Sequence, residues 1–571
     1  MISQITWNPR SFAWSRVSST ASWAPLLVIV GFVVLWPLLI FEIHSLSDGG
    51  HSYLAVYADP SVLSAWKNTI LLAVFDLAFA VVVGTILAWS ALHLPPSLRS
   101  VGAAVPLLPL LIPGIASVIG WIFLLSPSVG YLNSGLRAAM PFLGLREGPL
   151  DVYTFTGMVF VSGLLLSSFI YLFVYNGLRN AGAEYEEAAA VSGASSLRIL
   201  FTVTLPQLRP SLAYGGGIVF MLALGQFSVP ILLRGRSKID VISTKMFSLL
   251  DSYPIPFGEI AALGTPLLLA GAMVMLVQKW VIGDVQRYVT VGGKAQNVPR
   301  QPTWWSGWVI GVYGLLSMVL PLLALIYTAL SPFWTATIRF DRLTLSNFAT
   351  VFSDSHLVDS IFTSIYATTI TIVIIIPLGY VAARILAKRT DAPRLITQCL
   401  DLLLVLPYAI PATLIGFALL FAYTQPPFLL YGTRSIIVIA YSTAMLPYAA
   451  RFLTARLLAL GAEPWEASSV SGAGAMRTFV FVTIPLVRQT ASAAATIIFI
   501  LLFQEFAISL LVRSASTQVL GSVLYDQYGG GSYPNVAVLA VLMVGMTAAG
   551  VVMMLAAGGS NILEKVKGLS K

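Results

Sequence analysis

The sequence predicts an all-α polytopic membrane protein with about twelve transmembrane helices in two parallel-repeat six-helix halves. Three observations carry that prediction. Apolar side chains make up 57% of the 571 residues, and Asp, Glu, Lys and Arg only 10%. Apolar runs long enough to cross a bilayer recur along the whole chain. A polar loop in the first half returns in the second at a fixed interval. The mean hydropathy of +0.87 excludes a soluble enzyme, a nucleic-acid binder and a disordered chain, because so large an apolar surface could not be kept wet.

Taken in order, residues 1–20 read as a cytoplasmic N-terminal segment carrying Arg10 and Arg16. The apolar run from Ala21 to Ile40 is longer than a signal h-region and lacks a small-residue cleavage site, so it reads as the first span. Runs at roughly 68–91, 102–125, 153–175, 211–233 and 258–278 complete six spans, each able to cross a hydrocarbon core of about 30 Å. These bound a first transmembrane domain, 21–278. A cytoplasmic linker follows at 279–303. Runs at roughly 304–330, 361–383, 396–422, 432–450, 490–512 and 533–556 make a second domain, 304–556, with a cytoplasmic tail at 557–571.

With the amino terminus inside, 21 of the 32 Lys and Arg residues fall on cytoplasmic segments, so the positive-inside bias places both termini in the cytoplasm. Arg234, Arg236, Lys238 and Lys245 break the pattern as an outward basic stretch. They read either as snorkelling side chains of an interfacial turn or as a contact for a partner or an anionic solute. The one cysteine, Cys399, permits no internal disulfide, and the four histidines are too scattered for ligand spacing. No metal site, cofactor site or catalytic residue is expected in this chain.

The repeat is specific. At an offset of 279, Glu184, Glu187, Ala188, Val191, Ser192, Gly193, Ala194, Arg198, Val203, Thr204, Pro206 and Arg209 recur as Glu463, Glu466, Ala467, Val470, Ser471, Gly472, Ala473, Arg477, Val482, Thr483, Pro485 and Arg488, twelve identities in 26 positions. Phe227 maps onto Phe506 and Arg234 onto Arg513 in the same register. Pro109 and Pro113 in the third span match Pro407 and Pro411 in the ninth at an offset of 298; they are expected to bend or interrupt those helices. Six spans per copy put both loops on one side, so the halves are related by an axis along the membrane normal.

Each loop reads as two short helices joined at a tight turn. Carboxylates sit early in the first helix, where they suit its exposed amides. The glycine allows a backbone that a Cβ would oppose, and little room for a branched side chain is expected against a partner. A connection that only had to be soluble would not need to be preserved twice, so both loops read as docking elbows for a cytosolic partner.

Glu-Ala-Ala, three residues, Gly, nine residues, Val, one residue, Leu-Pro resembles the EAA motif of permeases in binding-protein-dependent ABC importers. Glu187, Ala188, Ala189, Gly193, Val203, Leu205 and Pro206 carry it. The second copy supplies Glu466, Ala467, Gly472, Val482 and Pro485, with Ser468 in place of the second alanine and Ile484 in place of leucine. Over both halves the chain looks most like the fused ferric iron permeases. The resemblance implies a multi-pass protein of the bacterial inner membrane whose elbows dock two cytosolic ATP-binding subunits, which would hold the ATP and Mg. It also implies one extracytoplasmic solute-binding protein. Ferric iron is the expected solute; polyamine, thiamine, phosphonate and oxyanion permeases share the machinery. An ion-driven secondary transporter, also commonly built as a parallel repeat, is the other class.

The chain has no Gly-x-x-x-x-Gly-Lys-Ser/Thr loop and no soluble stretch long enough for a nucleotide-binding fold, so it is not expected to be an enzyme. Within the membrane, Asp76, Asp401 and Glu505 are the costly residues. Asp76, Glu505 and Gln226, which Glu505 replaces in the second copy, are candidates for lining the translocation pathway; structural hydrogen bonds are the alternative.

Overall fold

A computed structural model describes residues 23–143, 146–180, 183–282, 302–390 and 392–557. The expected N-terminal segment 1–20, most of the linker 279–303 and nearly all of the tail 557–571 lie outside the described residues. Among those described, nine single helices are long and apolar enough to cross a membrane, and three bent pairs add up to three more.

The second span of each half is entered alike. Asp59 accepts the Ser61 N–H ahead of the helix Pro60–Leu92, and Asp354 accepts those of His356 and Leu357 ahead of Ser355–Leu386. A carboxylate there satisfies amides that the first turn leaves open. It also lets both helices begin several residues before their apolar runs at roughly 68 and 361.

The third and ninth spans are not single straight helices. Pro96–Leu111 meets Gly114–Leu125 at 93°, and Arg394–Ala409 meets Ala412–Tyr423 at 110°. The breaks fall at Ile112-Pro113 and Ile410-Pro411, where a proline removes an amide and holds its predecessor extended, at ψ 125° for Ile112 and 127° for Ile410.

Both pairs nevertheless cross. Helix Phe155–Asn180 packs beside Pro60–Leu92 with matched ends: Phe75 meets Phe155 at 6.0 Å, Phe79 meets Phe160 at 6.5 Å, and Gly84 faces Ile170. The two run parallel, so the chain between them travels from one membrane face to the other. Arg434–Ala459 lies beside Ser355–Leu386 in the same sense, with Arg434 on Asp359 at 2.7 Å and Ala449 against Gly379. Counting each bent pair as one span gives twelve, and both elbows lie on one face.

The packing units differ from the two sequence domains. Helix Ala24–Leu46 packs on Arg394–Ala409 and Ala412–Tyr423 of the second half as well as on Phe257–Ile282, and Thr443 Oγ1 donates to the Val33 carbonyl at 3.3 Å. In return, Leu320–Ala329 lies on Gly114–Leu125 of the first half, where Thr328 and Tyr131 hydroxyls meet at 2.9 Å. The opening helix of each half therefore belongs to the core of the other.

Candidate coupling elbows and translocation seam

The first elbow starts with helix Ala183–Val191 and the second with Glu463–Val470. Each ends on its glycine in the left-handed region, φ +80° at Gly193 and +73° at Gly472. The same two bonds close both ends. Gly193 and Ala194 donate to the carbonyls of Ala190 and Ala189, each at 3.0 Å; Gly472 and Ala473 donate to those of Ser469 and Ser468 at 3.0 and 3.1 Å. This is a glycine-closed helix end in which otherwise orphaned carbonyls find partners. A Cβ on either glycine would meet nothing within 4 Å in this chain, so backbone conformation, not crowding within the chain, calls for glycine.

The second arm is not a separate short helix, as the sequence suggested. Ser196–Ile199 and Ala475–Thr478 pass through five-residue π-turns, Leu200–Thr204 and Phe479–Thr483, into the following spans. Pro206 and Pro485 come two residues after these wide turns, which give a proline ring the room an α-turn denies it.

Struts tie each elbow to its span at matched positions. Glu186 Oε1 accepts the Thr204 hydroxyl at 2.8 Å, and Trp465 Nε1 donates to Thr483 Oγ1 at 3.0 Å. Threonine serves both because a hydroxyl donates or accepts. The Arg389 guanidinium lies 5.3 Å from the Trp465 ring centre and donates to the Leu460 carbonyl at 2.6 Å. The departure at Ser468 is also accounted for: it is buried and shares a 2.8 Å hydrogen bond with Thr478, joining the two arms. Ala189 and Ile199 stand at those positions in the first elbow.

Of the residues singled out in the elbows, Glu187, Ala188, Gly193, Ala194, Glu463, Glu466, Ala467, Gly472 and Ala473 fall on or beside the short helices and their turns; the structure puts Ala189 partly inside. Val191 and Val470, another matched pair, are 90% and 80% exposed. Duplicated apolar residues two positions before a duplicated glycine were the available signal, and such exposure fits a covered surface in an assembly.

The two halves meet where spans five and eleven break. Arg209–Leu224 and Ser228–Ser237 bend by 44° around residues 225–227; Ile484–Phe503 and Ala507–Val512 are separated at 504–506. Phe227 and Phe506, both buried, stack across the seam with centres 5.8 Å apart. Phe247 packs edge-on to Phe227 at 5.6 Å, Tyr525 against Phe506 at 5.9 Å, and Phe247 against Tyr525 at 6.2 Å. Each break also rests on the other half's broken span: Gly225 faces Pro411, and Gln504 Nε2 donates to the Leu110 carbonyl at 3.2 Å.

The polar residues of the seam brace these breaks. Glu505 accepts the Ile508 and Ser509 amides at 2.6 and 2.8 Å, capping the short helix beyond it. Gln226 turns its side-chain oxygen to the Phe227 amide at 3.2 Å, while its carbonyl accepts Ser243 Oγ at 2.7 Å. Asp76 lies elsewhere, fully buried between parallel helices of the first half with Oδ1 accepting Ser162 Oγ at 2.7 Å. Asp401 pairs with Arg451 at 2.8 Å.

Most of the outward basic stretch is neutralised in place. Arg234 meets Asp240 at 2.6 Å, Arg236 meets Glu147 at 3.6 Å and Lys245 meets Asp59 at 3.1 Å. The Ser61 hydroxyl first, then its amide and Lys245, hold the Asp59 carboxyl down at about 2. Arg513 forms a two-pronged pair with Asp526. Among the described residues no three His, Cys, Asp or Glu side chains come together as a metal site.

The family model described as binding-protein-dependent transport system inner membrane component matches residues 80–287 and 375–559, more than half of the chain. The chain is 24% identical to the ferric transport system permease protein FbpB of Actinobacillus pleuropneumoniae, over 89% of this chain and 74% of the relative. It is equally identical to a putative ferric transport system permease protein, FbpB 1, of Haemophilus influenzae, over 87% of this chain and 78% of the relative. The sulfate transport system permease protein CysT of Salmonella typhimurium is 27% identical, over 45% of this chain and 89% of its own length.

Proposed function

The chain belongs to the binding-protein-dependent transport system inner membrane components, and from that premise we propose that it is the two-halved ferric iron permease of an ATP-driven importer. The observation that carries the coupling role is the pair of elbows on one face, each closed by a left-handed glycine with an exposed valine before it. In this reading each elbow seats one cytosolic ATPase subunit, the opposite face receives one solute-loaded binding protein, and the elbow face is cytoplasmic. The permease hydrolyses nothing itself. ATPase closure moves the elbows, the struts at Thr204 and Thr483 pass that motion to spans five and eleven, and the Phe227–Phe506 contact parts or closes.

The ferric reading is favoured by two relatives named as ferric permeases that align with most of this chain. The sulfate relative aligns with less than half of it, and the ion pairs on the outward arginines leave little positive charge to draw an oxyanion. Reconstitution in proteoliposomes with the ATPase subunits and binding protein tests the assignment. ATP-dependent, gradient-independent uptake of ferric iron is expected. Uptake of sulfate without iron would replace the substrate, and uptake driven by an ion gradient without ATP would replace the mechanism.

A further inference from the structure

Directly beyond the aromatic contact, on the face away from the elbows, lies a cavity of about 460 Å3 lined by Arg234, Lys238, Asp240, Phe247, Asp251 and Tyr525, among others. Phe247 and Tyr525 form its floor and pack on Phe227 and Phe506. A solute leaving a binding protein would reach this space before the seam opens.

The lining is close to charge-balanced. Arg234 and Asp240 satisfy one another at 2.6 Å. Lys238 and Asp251 are both exposed and neither takes part in an ion pair among the described residues. One cation, one carboxylate and one phenol thus remain to meet a solute. A free oxyanion would find a single unpaired cation offset by a carboxylate. A bare trivalent cation would find a single unpaired carboxylate beside a lysine. A metal ion still carrying a chelating anion matches both signs.

We infer that this cavity is the receiving site of the path, where Asp251 and Tyr525 give oxygen ligands to a ferric ion and Lys238 holds the anion that chelates it. The inference rests on the ferric reading above and adds the form in which the ion enters. Carboxylate and phenolate oxygens are hard donors suited to a hard cation. Two donors cannot fill a six-coordinate sphere, so the chelating anion and water supply the rest; the hold stays weak enough for release, as conduction requires. Tyr525 lines the cavity beside Asp251 with its ring against Phe506 and Phe247, and its ordinary form is the neutral phenol. As the Fe–O bond forms, the phenol proton leaves to solvent, and no electron is transferred.

The test uses the full complex of permease and ATPase subunits in nanodiscs, with ferric nitrilotriacetate as probe. Wild type is expected to develop a visible phenolate-to-iron charge-transfer band that Tyr525→Phe abolishes. Asp251→Asn should lower ferric uptake at least fivefold in proteoliposomes, and Asp251→Glu should restore most of it. Lys238→Gln should alter uptake differently for citrate and phosphate as accompanying anions. ATPase stimulation by the binding protein, retained in every variant, shows that each is folded and docked. No band in wild type, together with wild-type ferric uptake in Asp251→Asn and Tyr525→Phe, overturns the site. Wild type that transports sulfate and no iron overturns the ferric reading itself, a separate outcome.

Discussion

Replacing the two elbow glycines distinguishes a backbone requirement from a crowded partner contact. Gly193 and Gly472 sit at φ +80° and +73° with open space where a Cβ would be, so any cost within the chain comes from the left-handed conformation. For an L-residue that cost is about 1–2 kcal/mol, with a β-branched residue at the upper end and asparagine well below it. Since about 1.4 kcal/mol is tenfold in an equilibrium, Gly193→Val should lower the population of docking-ready elbow roughly tenfold or more. The two glycines close separate helix ends with separate partners, Ala190 and Ala189 against Ser469 and Ser468, so Gly472→Val should add to this independently. Binding of purified ATPase subunit to permease in nanodiscs reads the effect directly, and receptor-stimulated ATPase and uptake read its consequence. Membrane insertion and affinity for the binding protein should be unchanged. Gly193→Asn and Gly472→Asn should stay within about threefold of wild type, because asparagine tolerates this region. Asparagine variants as defective as the valine variants would show that the partner leaves no room, and normal coupling in the double valine variant would remove the elbows from the mechanism.

Shortening the seam pair in Phe227→Ala/Phe506→Ala should open the path: receptor-independent ATPase should rise and the complex should leak small ions, whereas tight, receptor-dependent behaviour would refute a gating contact. Thr483→Val leaves the buried Trp465 Nε1 without a partner, a loss of about 1–3 kcal/mol; thermal unfolding should show it, and Trp465→Phe with Thr483→Val should recover part of it. Asp76→Asn should support normal uptake because Ser162 still has an oxygen to bond, so an assembled variant that fails to transport would return Asp76 to the pathway. In a background lacking Cys399, single cysteines at Ser195 and Gly474 should be labelled only after permeabilisation; labelling of either in intact cells contradicts a cytoplasmic elbow face. Native mass measurement should find one permease chain with two ATPase subunits.

What was legible in the sequence depended on whether the physics is local. Apolar runs located the spans because crossing length is a property of one segment, and the glycines marked the elbow ends because a left-handed residue is a local demand. Pro113 and Pro411 announced the breaks in the third and ninth spans, though not bends of 93° and 110°. The breaks at 225–227 and 504–506 carry no proline. They form where Glu505 turns back to cap a helix and Gly225 lies against Pro411 of the other half, contacts that a one-dimensional pattern does not contain. The same limit hid the partners of the outward basic residues. Asp240 is near Arg234 in sequence, but Asp59 is 186 residues from Lys245, and no periodicity links them. Asp76 and Glu505 looked alike as carboxylates in apolar runs, yet one bridges two helices and the other caps a third.

The exchanged opening helices bear on how the protein is made. Ala24–Leu46 is synthesised long before residues 394–423, to which much of its packing surface belongs. At about 5–20 residues per second, roughly 350 residues separate the two on the ribosome, an interval on the order of 20–70 s. Throughout it the first helix waits in lipid, where an unpacked apolar face costs little because acyl chains solvate it as well as leucine would. The first half cannot finish its own fold before the second emerges, so a chain terminated near residue 390 should be a conspicuous substrate for membrane proteases, and maturation should behave as one late step shared by both halves.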